Sequence, residues 1–274
     1  MDYSIRLQPA PSGAGRDTVR DLSRQLEPPH LRSFLESWVA REAWPEISAV
    51  WLEFDLPPDQ VPRLQPSICA QLFEDPRPGF VLDALLPAIH GRDLAPQQRQ
   101  DALRILEGLP AGARLLYAFS MLSRGEGAVR LEVFGVPSAA VVETVQRAGA
   151  SRTAARAAAA AGVMGAVDRS HLSFDLLPDG VSSRVGLEGS FRRLPRREPR
   201  WGALFDRLQA AGLCSPEERR AVFAWQGYDR VDGPAGQPGF LVRSLSHVKL
   251  VCQPDRPLEA KVYLLLEHLE KKPS

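Results

Sequence analysis

Several absences narrow what this chain can do. Its three cysteines, Cys69, Cys214 and Cys252, are odd in number and have no Cys-x-x-Cys spacing, which excludes zinc knuckles and a disulfide framework. Lys and Arg total 34 against 33 Asp and Glu, a net charge of +1, so bulk electrostatic attraction to nucleic acid or to an anionic membrane surface is excluded. No apolar run has the length of a membrane span. The blandest stretch, Ala154 to Val163, is short, Ala-rich and interrupted by Arg156, and reads as a helix. The opening Met1-Asp2-Tyr3-Ser4-Ile5-Arg6 lacks the basic and apolar regions of a secretory signal. The expectation is a cytoplasmic protein that works with neither nucleic acid nor membrane. A Gly-rich phosphate loop, Gly-x-Ser-x-Gly and His-Glu-x-x-His are all missing, so three common catalytic frameworks do not apply.

What the chain does have is a recurring unit. Phe54-Asp55-Leu56-Pro57-Pro58-Asp59 resembles Phe174-Asp175-Leu176-Leu177-Pro178-Asp179. Ser170-His171 precedes Pro178-Asp179 by the same interval as Ser246-His247 precedes Pro254-Asp255. A cation follows each of the last two turns, Arg184 in one and Lys261 in the other. Internal similarity of this kind marks one supersecondary unit used several times. The unit is a β-hairpin, with helical stretches between successive hairpins.

Apolar spacing predicts helices in pairs over 16–43, 80–109, 137–162 and 201–225. In the last pair, Ser215 followed by Glu218 forms a capping box. Strands are predicted over 47–56, 67–73, 115–122, 129–134, 170–177, 181–191, 241–252 and 259–267, with 226–239 a Gly- and Pro-rich loop. Tyr3–Gln8 is a further candidate strand with no visible partner. The order is ααββ, four times, in one repeat-built domain over 1–274. It fits either a pair of α+β sandwiches or a closed antiparallel barrel ringed by helices.

One face of each strand is fully apolar. The other mixes aromatic groups and charges: Trp51, Glu53 and Asp55; Tyr117 and Phe119; Arg130, Glu132 and Phe134; His171, Ser173 and Asp175; Arg184 and Glu188; Arg243, His247 and Lys249; Lys261 and Tyr263. Such a face suits a wet functional lumen, and equally a solvated sheet face.

Consecutive ααββ units with a polar and aromatic inner face resemble the ABBA-type aromatic prenyltransferases, whose fold is the PT-barrel. The last hairpin, Ser246-His247-Val248-Lys249-Leu250 then Ala260-Lys261-Val262-Tyr263-Leu264, is similar to that family's Lys-containing strands. Glu53, in Trp51-Leu52-Glu53-Phe54-Asp55, sits where the family's proton-accepting Glu would. The resemblance implies an antiparallel PT-barrel-like α/β fold and transfer of an isoprenyl group from an allylic diphosphate to an aromatic or peptide acceptor, as in natural-product biosynthesis. It implies Glu53 as catalytic base. It also implies Arg130, Arg184, Lys249, Lys261, Tyr263, Trp51, Phe119 and His247 as substrate-binding residues, and no cofactor, magnesium not being required. Two departures stand out. Four hairpins are visible where the family has five, and a lumen with Glu53, Asp55, Glu132, Asp175 and Glu188 is more acidic than a diphosphate site needs.

The residue chemistry admits other readings. Arg130, Arg184, Lys249 and Lys261 can converge on a diphosphate, which needs several cations; equally, they can pair with the inner carboxylates as a structural network. Asp-Asp-x-x-Asp is absent, so magnesium–diphosphate chemistry of the all-helical isoprenyl synthases is not encoded. His171 and His247, at matched repeat positions, read first as hydrogen-bonded strand residues, and a metal site with Asp55, Asp175 and Glu188 lacks local spacing. The alternatives to prenyl transfer are a non-catalytic barrel that binds a peptide or small hydrophobic ligand, and an acid–base enzyme that uses the inner carboxylates.

Overall fold

The structure, a computed structural model, describes residues 2–8, 13–40, 44–55, 66–73, 76–122, 127–232 and 238–270. Among these residues, alternating apolar and polar positions give ten strands, all in one antiparallel sheet. They are β1 (Asp2–Leu7), β2 (Ile47–Asp55), β3 (Ser67–Leu72), β4 (Arg114–Ser120), β5 (Val129–Phe134), β6 (Arg169–Leu177), β7 (Gly180–Ser190), β8 (Gly227–Asp232), β9 (Pro238–Cys252) and β10 (Glu259–Glu270). Helices α1 (Gly13–Gln25) and α2 (Pro29–Ala40) separate β1 from β2. Between β3 and β4 lie α3 (Pro78–Phe80), a π turn over Val81–Leu85, α4 (Leu86–His90) and α5 (Pro96–Glu107). The wide turn immediately precedes Pro87, whose missing N–H interrupts the ordinary helical ladder. Helices α6 (Val141–Arg147) and α7 (Ala154–Met164) precede β6, and α8 (Arg200–Ala210) and α9 (Pro216–Trp225) precede β8. The capping box of α9 is formed: Glu218 N–H donates to Ser215 Oγ at 3.1 Å, and Ser215 N–H to Glu218 Oε2 at 2.8 Å.

The expected closed barrel of repeated ααββ units is not the fold. The strands run in sequence order from β1 through β7 to β9 and β10, and the sheet stays open, with β1 and β10 as its edges. Two strands lie outside the expected hairpin count. β1 pairs with β2 along all of Asp2–Leu7. β8 forms within the segment read as loop and pairs with residues 238–243 of β9. β9 therefore has two partners on one side, β7 against 248–252 and β8 against 238–243. Its other side is taken along its length by β10. The last three strands thus run on as a ribbon beyond the body of the sheet. The first Pro-Asp turn, Pro57-Pro58-Asp59, and the Asp55 side chain lie outside what is described.

The helices and one sheet face share a continuous core. Val50, Leu52, Ile68, Leu131, Phe174, Leu187 and Leu250 from the strands meet Leu35, Trp38, Leu86, Ile105, Ala157 and Leu204 from the helices, all of them buried. Polar ties fix helices to strands. Gln98, 1% exposed, donates from Nε2 to the carbonyls of Gly127 and Leu176, both at 3.0 Å. Arg207 donates to the carbonyls of Val163 and Met164, closing the end of α7.

Leu131 sits mid-strand in β5, 0% exposed on the helix-facing side. Leu131→Ala is expected to cost about 2–5 kcal/mol in chemical denaturation, from lost burial plus the cavity left behind. A cost below about 1 kcal/mol would show that this face is not the packed core.

Candidate functional site

The opposite, concave face carries the polar alternation, and its centre is buried. Arg130, Glu132, Glu188 and Lys249 are each 5–7% exposed. A flat sheet would separate β2 from β9 by six strand spacings, roughly 29 Å. Yet the charges of Lys249 on β9, Glu188 on β7, and Arg130 and Glu132 on β5 all act on the Glu53 carboxyl of β2. Interactions of that reach require the sheet to curl around this face.

Register builds the network. Arg130 stands opposite Asp175, and its Nε and Nη2 donate to the two carboxylate oxygens at 2.5 and 3.0 Å. Arg184 Nη1 reaches the same carboxylate at 3.6 Å. Glu188 stands between His171 on β6 and Lys249 on β9, directly opposite each. Lys249 Nζ donates to Glu188 Oε1 at 2.5 Å, and His247 Nε2 lies 3.3 Å from Oε2. His171 Nδ1 lies 2.5 Å from Glu132 Oε1. The repeat that placed His171 and His247 at matched positions thus gives each imidazole a carboxylate, Glu132 for His171 and Glu188 for His247. Gly186 makes the packing possible. A Cβ there would lie 2.3 Å from Ser173 Oγ and 2.5 Å from Lys249 Cε, so only glycine leaves room for the lysine stem.

Aromatic rings wall this network. His247 stacks on Tyr263 with centroids 4.2 Å apart, and Phe134 meets His171 edge-on at 5.3 Å. The Arg130 guanidinium lies over Phe119 at 5.8 Å and Arg6 over Trp51 at 5.4 Å. Trp51 Nε1 donates to Gln71 Oε1 at 3.4 Å.

Of the four concave-face carboxylates whose side chains are described, three have close cationic or imidazole partners. Glu53 is the exception: it makes no direct hydrogen bond or ion pair among the described residues. Burial pushes its carboxyl above the ordinary 4.5, further than Arg130 and Lys249 pull it down, with Glu132 and Glu188 adding to the rise. Burial also acts to raise Glu188, but the charges of Lys249, His247 and His171 and the Lys249 bond outweigh it and bring that group to about 2. At Asp175 burial is likewise overcome, by the Arg130 charge and bond with Arg184 behind them, and the carboxyl lies below its ordinary value. His247 is lowered by burial against the pull of Glu188. Burial lowers His171 too, but the bond and charge of Glu132 more than offset it, and the net direction is up. The Cys69 thiol, buried beside Glu53, is pushed well up, which removes it as a nucleophile.

Arg130, Arg184 and Lys249 are therefore brought together as the sequence pattern suggested, each with a carboxylate in place. Lys261 stands directly across from Lys249, its Nζ 3.9 Å from Glu259 Oε1. Trp51, Phe119, His247 and Tyr263 lie on the same face. Glu132, His171 and Glu188 offer ligand atoms within 4.8 Å of one another, close enough to share a cation. Here Lys249 Nζ already stands against one of them, 2.5 Å from Glu188 Oε1. Gln71, Cys69 and Gly186 were missed. Period-2 alternation along Ser67–Leu72 places Cys69 and Gln71 on this face and could have found them. No sequence signal marks Gly186. No helix among the described residues is long and apolar enough to cross a membrane. In comparisons with family models, curated proteins and solved structures, nothing matches the chain.

The shifts predict opposite signs for two mutations. Glu188 and Asp175 contribute stability that is present above their ordinary values, 4.5 and 3.8, and drains as pH falls through their lowered folded values, about 2 for Glu188. Glu53 does the reverse: folding holds its proton, and stability is lost as pH rises from 4.5 through its folded value. At pH 7, Glu188→Gln should cost about 3–5 kcal/mol, because Lys249 is left buried and unpaired. Glu53→Gln should stabilise. Urea denaturation of both variants at pH 7 checks this, and a destabilised Glu53→Gln would contradict it.

Proposed function

We propose that the concave face is a proton-transfer site, with Glu53 the acid–base group. The observation that carries this is the contrast just drawn: a crowded carboxyl with no direct partner among the described residues and a raised affinity for its proton, beside three carboxylates tied to cationic or imidazole partners. A group tuned toward neutrality is suited to taking a proton and returning it. The proton leaves an acidic position of the substrate for the Glu53 carboxylate. Negative charge then develops on the substrate, and the Arg130 and Lys249 charges that already act on Glu53 stabilise it. The bond to Asp175 engages two of the five guanidinium donors of Arg130 and fixes its plane, so that stabilisation needs no reorganisation. Trp51, Tyr117 and Phe119 suit a small substrate with a planar part.

A second reading, favoured by the convergence of Arg130, Arg184 and Lys249, is prenyl transfer from an allylic diphosphate with Glu53 accepting the acceptor's proton. It requires the diphosphate to compete with Asp175 and Glu188 for those cations.

The test is hydrogen–deuterium exchange, followed by NMR, into a panel of small planar carbonyl, phenol and indole compounds in D2O. Wild type should label at least one at carbon, and Glu53→Gln should lose roughly 100-fold or more of that rate. Equal rates in the two proteins would remove Glu53 as the base. Labelling of none, together with calorimetric binding of a non-ionisable allylic diphosphate analogue that Lys249→Ala weakens roughly tenfold or more, would establish the second reading instead.

A further inference from the structure

The two edges of the sheet differ in kind. β1 is 6 residues long and presents the exposed polar side chains of Ser4 and Arg6, a protected edge. β10 is 12 residues long, and Leu264, Leu266 and Leu269 on it are 47%, 56% and 45% exposed. Phe240 of β9, at 40%, stands opposite Leu269, and Tyr228, at 64%, lies one strand further on, on β8. Among the described residues, β10 is hydrogen-bonded to a strand on the β9 side alone. A long apolar edge of this kind is a template for another strand.

We propose that the other strand is β10 of a second copy of this chain, paired antiparallel about a two-fold axis through Leu264 and perpendicular to the sheet. The argument is charge complementarity. A sheet that continues across the axis with its faces preserved must pair residues of the same face, which limits the axis to residue positions. With the axis at Leu264, Lys261 of each copy stands opposite Glu267 of the other. Val262 then faces Leu266, Tyr263 faces Leu265, and no like charges are opposed. Moving the axis to Tyr263 sets Glu259 opposite Glu267. Moving it to Leu265 sets Lys261 opposite Leu269 and Tyr263 opposite Glu267, losing both ion pairs. The Leu264 register also overlaps the strands over residues 259–269 and covers Leu264 and Leu266, the most exposed apolar groups of this strand. The interface is isologous, so it closes as a dimer.

Sedimentation velocity on the full chain tests this. Wild type should sediment at twice the 30.2 kDa chain mass. Leu264→Arg places two guanidinium groups at the axis and should give a monomer with an unchanged circular dichroism spectrum. Glu267→Lys and Lys261→Glu should each weaken dimerisation by roughly tenfold, since each reverses two symmetry-related pairs. The double variant Lys261→Glu/Glu267→Lys should restore it, which a merely misfolded protein would not. A wild-type monomer overturns the proposal, including one that pairs this edge with an added extended peptide. So does a dimer unmoved by Leu264→Arg and the single reversals.

Discussion

The ion pair between Glu188 and Lys249 is the interaction on which the concave face depends. The two residues stand opposite each other across β7 and β9, and their charged atoms meet at 2.5 Å with almost no exposure. A buried charge without a partner costs several kcal/mol, and neither group tolerates the loss of the other. The pair in turn fixes its neighbours. Gly186 must remain a glycine to let the lysine stem pass, His247 lies against the other oxygen of Glu188, and Tyr263 stacks on His247. The Arg130–Asp175 pair does the same on β5 and β6, four residues along β6 from His171, which stands opposite Glu188. Satisfied in this way, the charges permit a polar layer to be packed inside a curled sheet.

Against that background Glu53 is the informative residue. Its neighbours are arranged so that Glu132, Asp175 and Glu188 each have a close partner, while Glu53, among the described residues, has only the fields of nearby charges. A carboxyl in that position weakens the fold at neutral pH, and proteins keep such groups where chemistry needs them. Glu53 also connects the acid–base and prenyl-transfer readings, since it is the proton acceptor in both. They differ in what the cations do: in one they stabilise an anion formed on the substrate, in the other they must leave Asp175 and Glu188 to hold a diphosphate.

Much of the local structure was legible in the sequence. Period-2 alternation located β2 through β7 and β9 and β10 within a few residues, because each has one apolar and one polar face. The capping box at Ser215 fixed the start of α9. The inner-face residues followed from the same alternation, and the matched His171 and His247 each met a carboxylate, Glu132 and Glu188 respectively. The global arrangement was not legible. β8, in Gly227–Asp232, lies beside a Gly- and Pro-rich stretch and gains its strand character from pairing with β9 rather than from its own propensities. β1 shows no partner in sequence because its ladder to β2 spans two helices. Without those two strands the hairpins count as a closing repeat, whereas the sheet is open. The sequence left the solvation of this face open, with a structural network of pairs as one of its readings. Alternating charges suggested a wet lumen or a solvated face, but whether Arg130 and Lys249 are solvated or paired depends on strands far apart in the chain.

The direct measurement is the titration of Glu53 itself, by 13C NMR of selectively labelled glutamate side chains with Glu53→Gln as the assignment control. The account requires the Glu53 carboxyl to titrate above the ordinary 4.5 while Glu188 titrates near 2. A Glu53 that titrates at or below 4.5 would mean that it is partnered and ionised like its neighbours, and the acid–base role would fall with it.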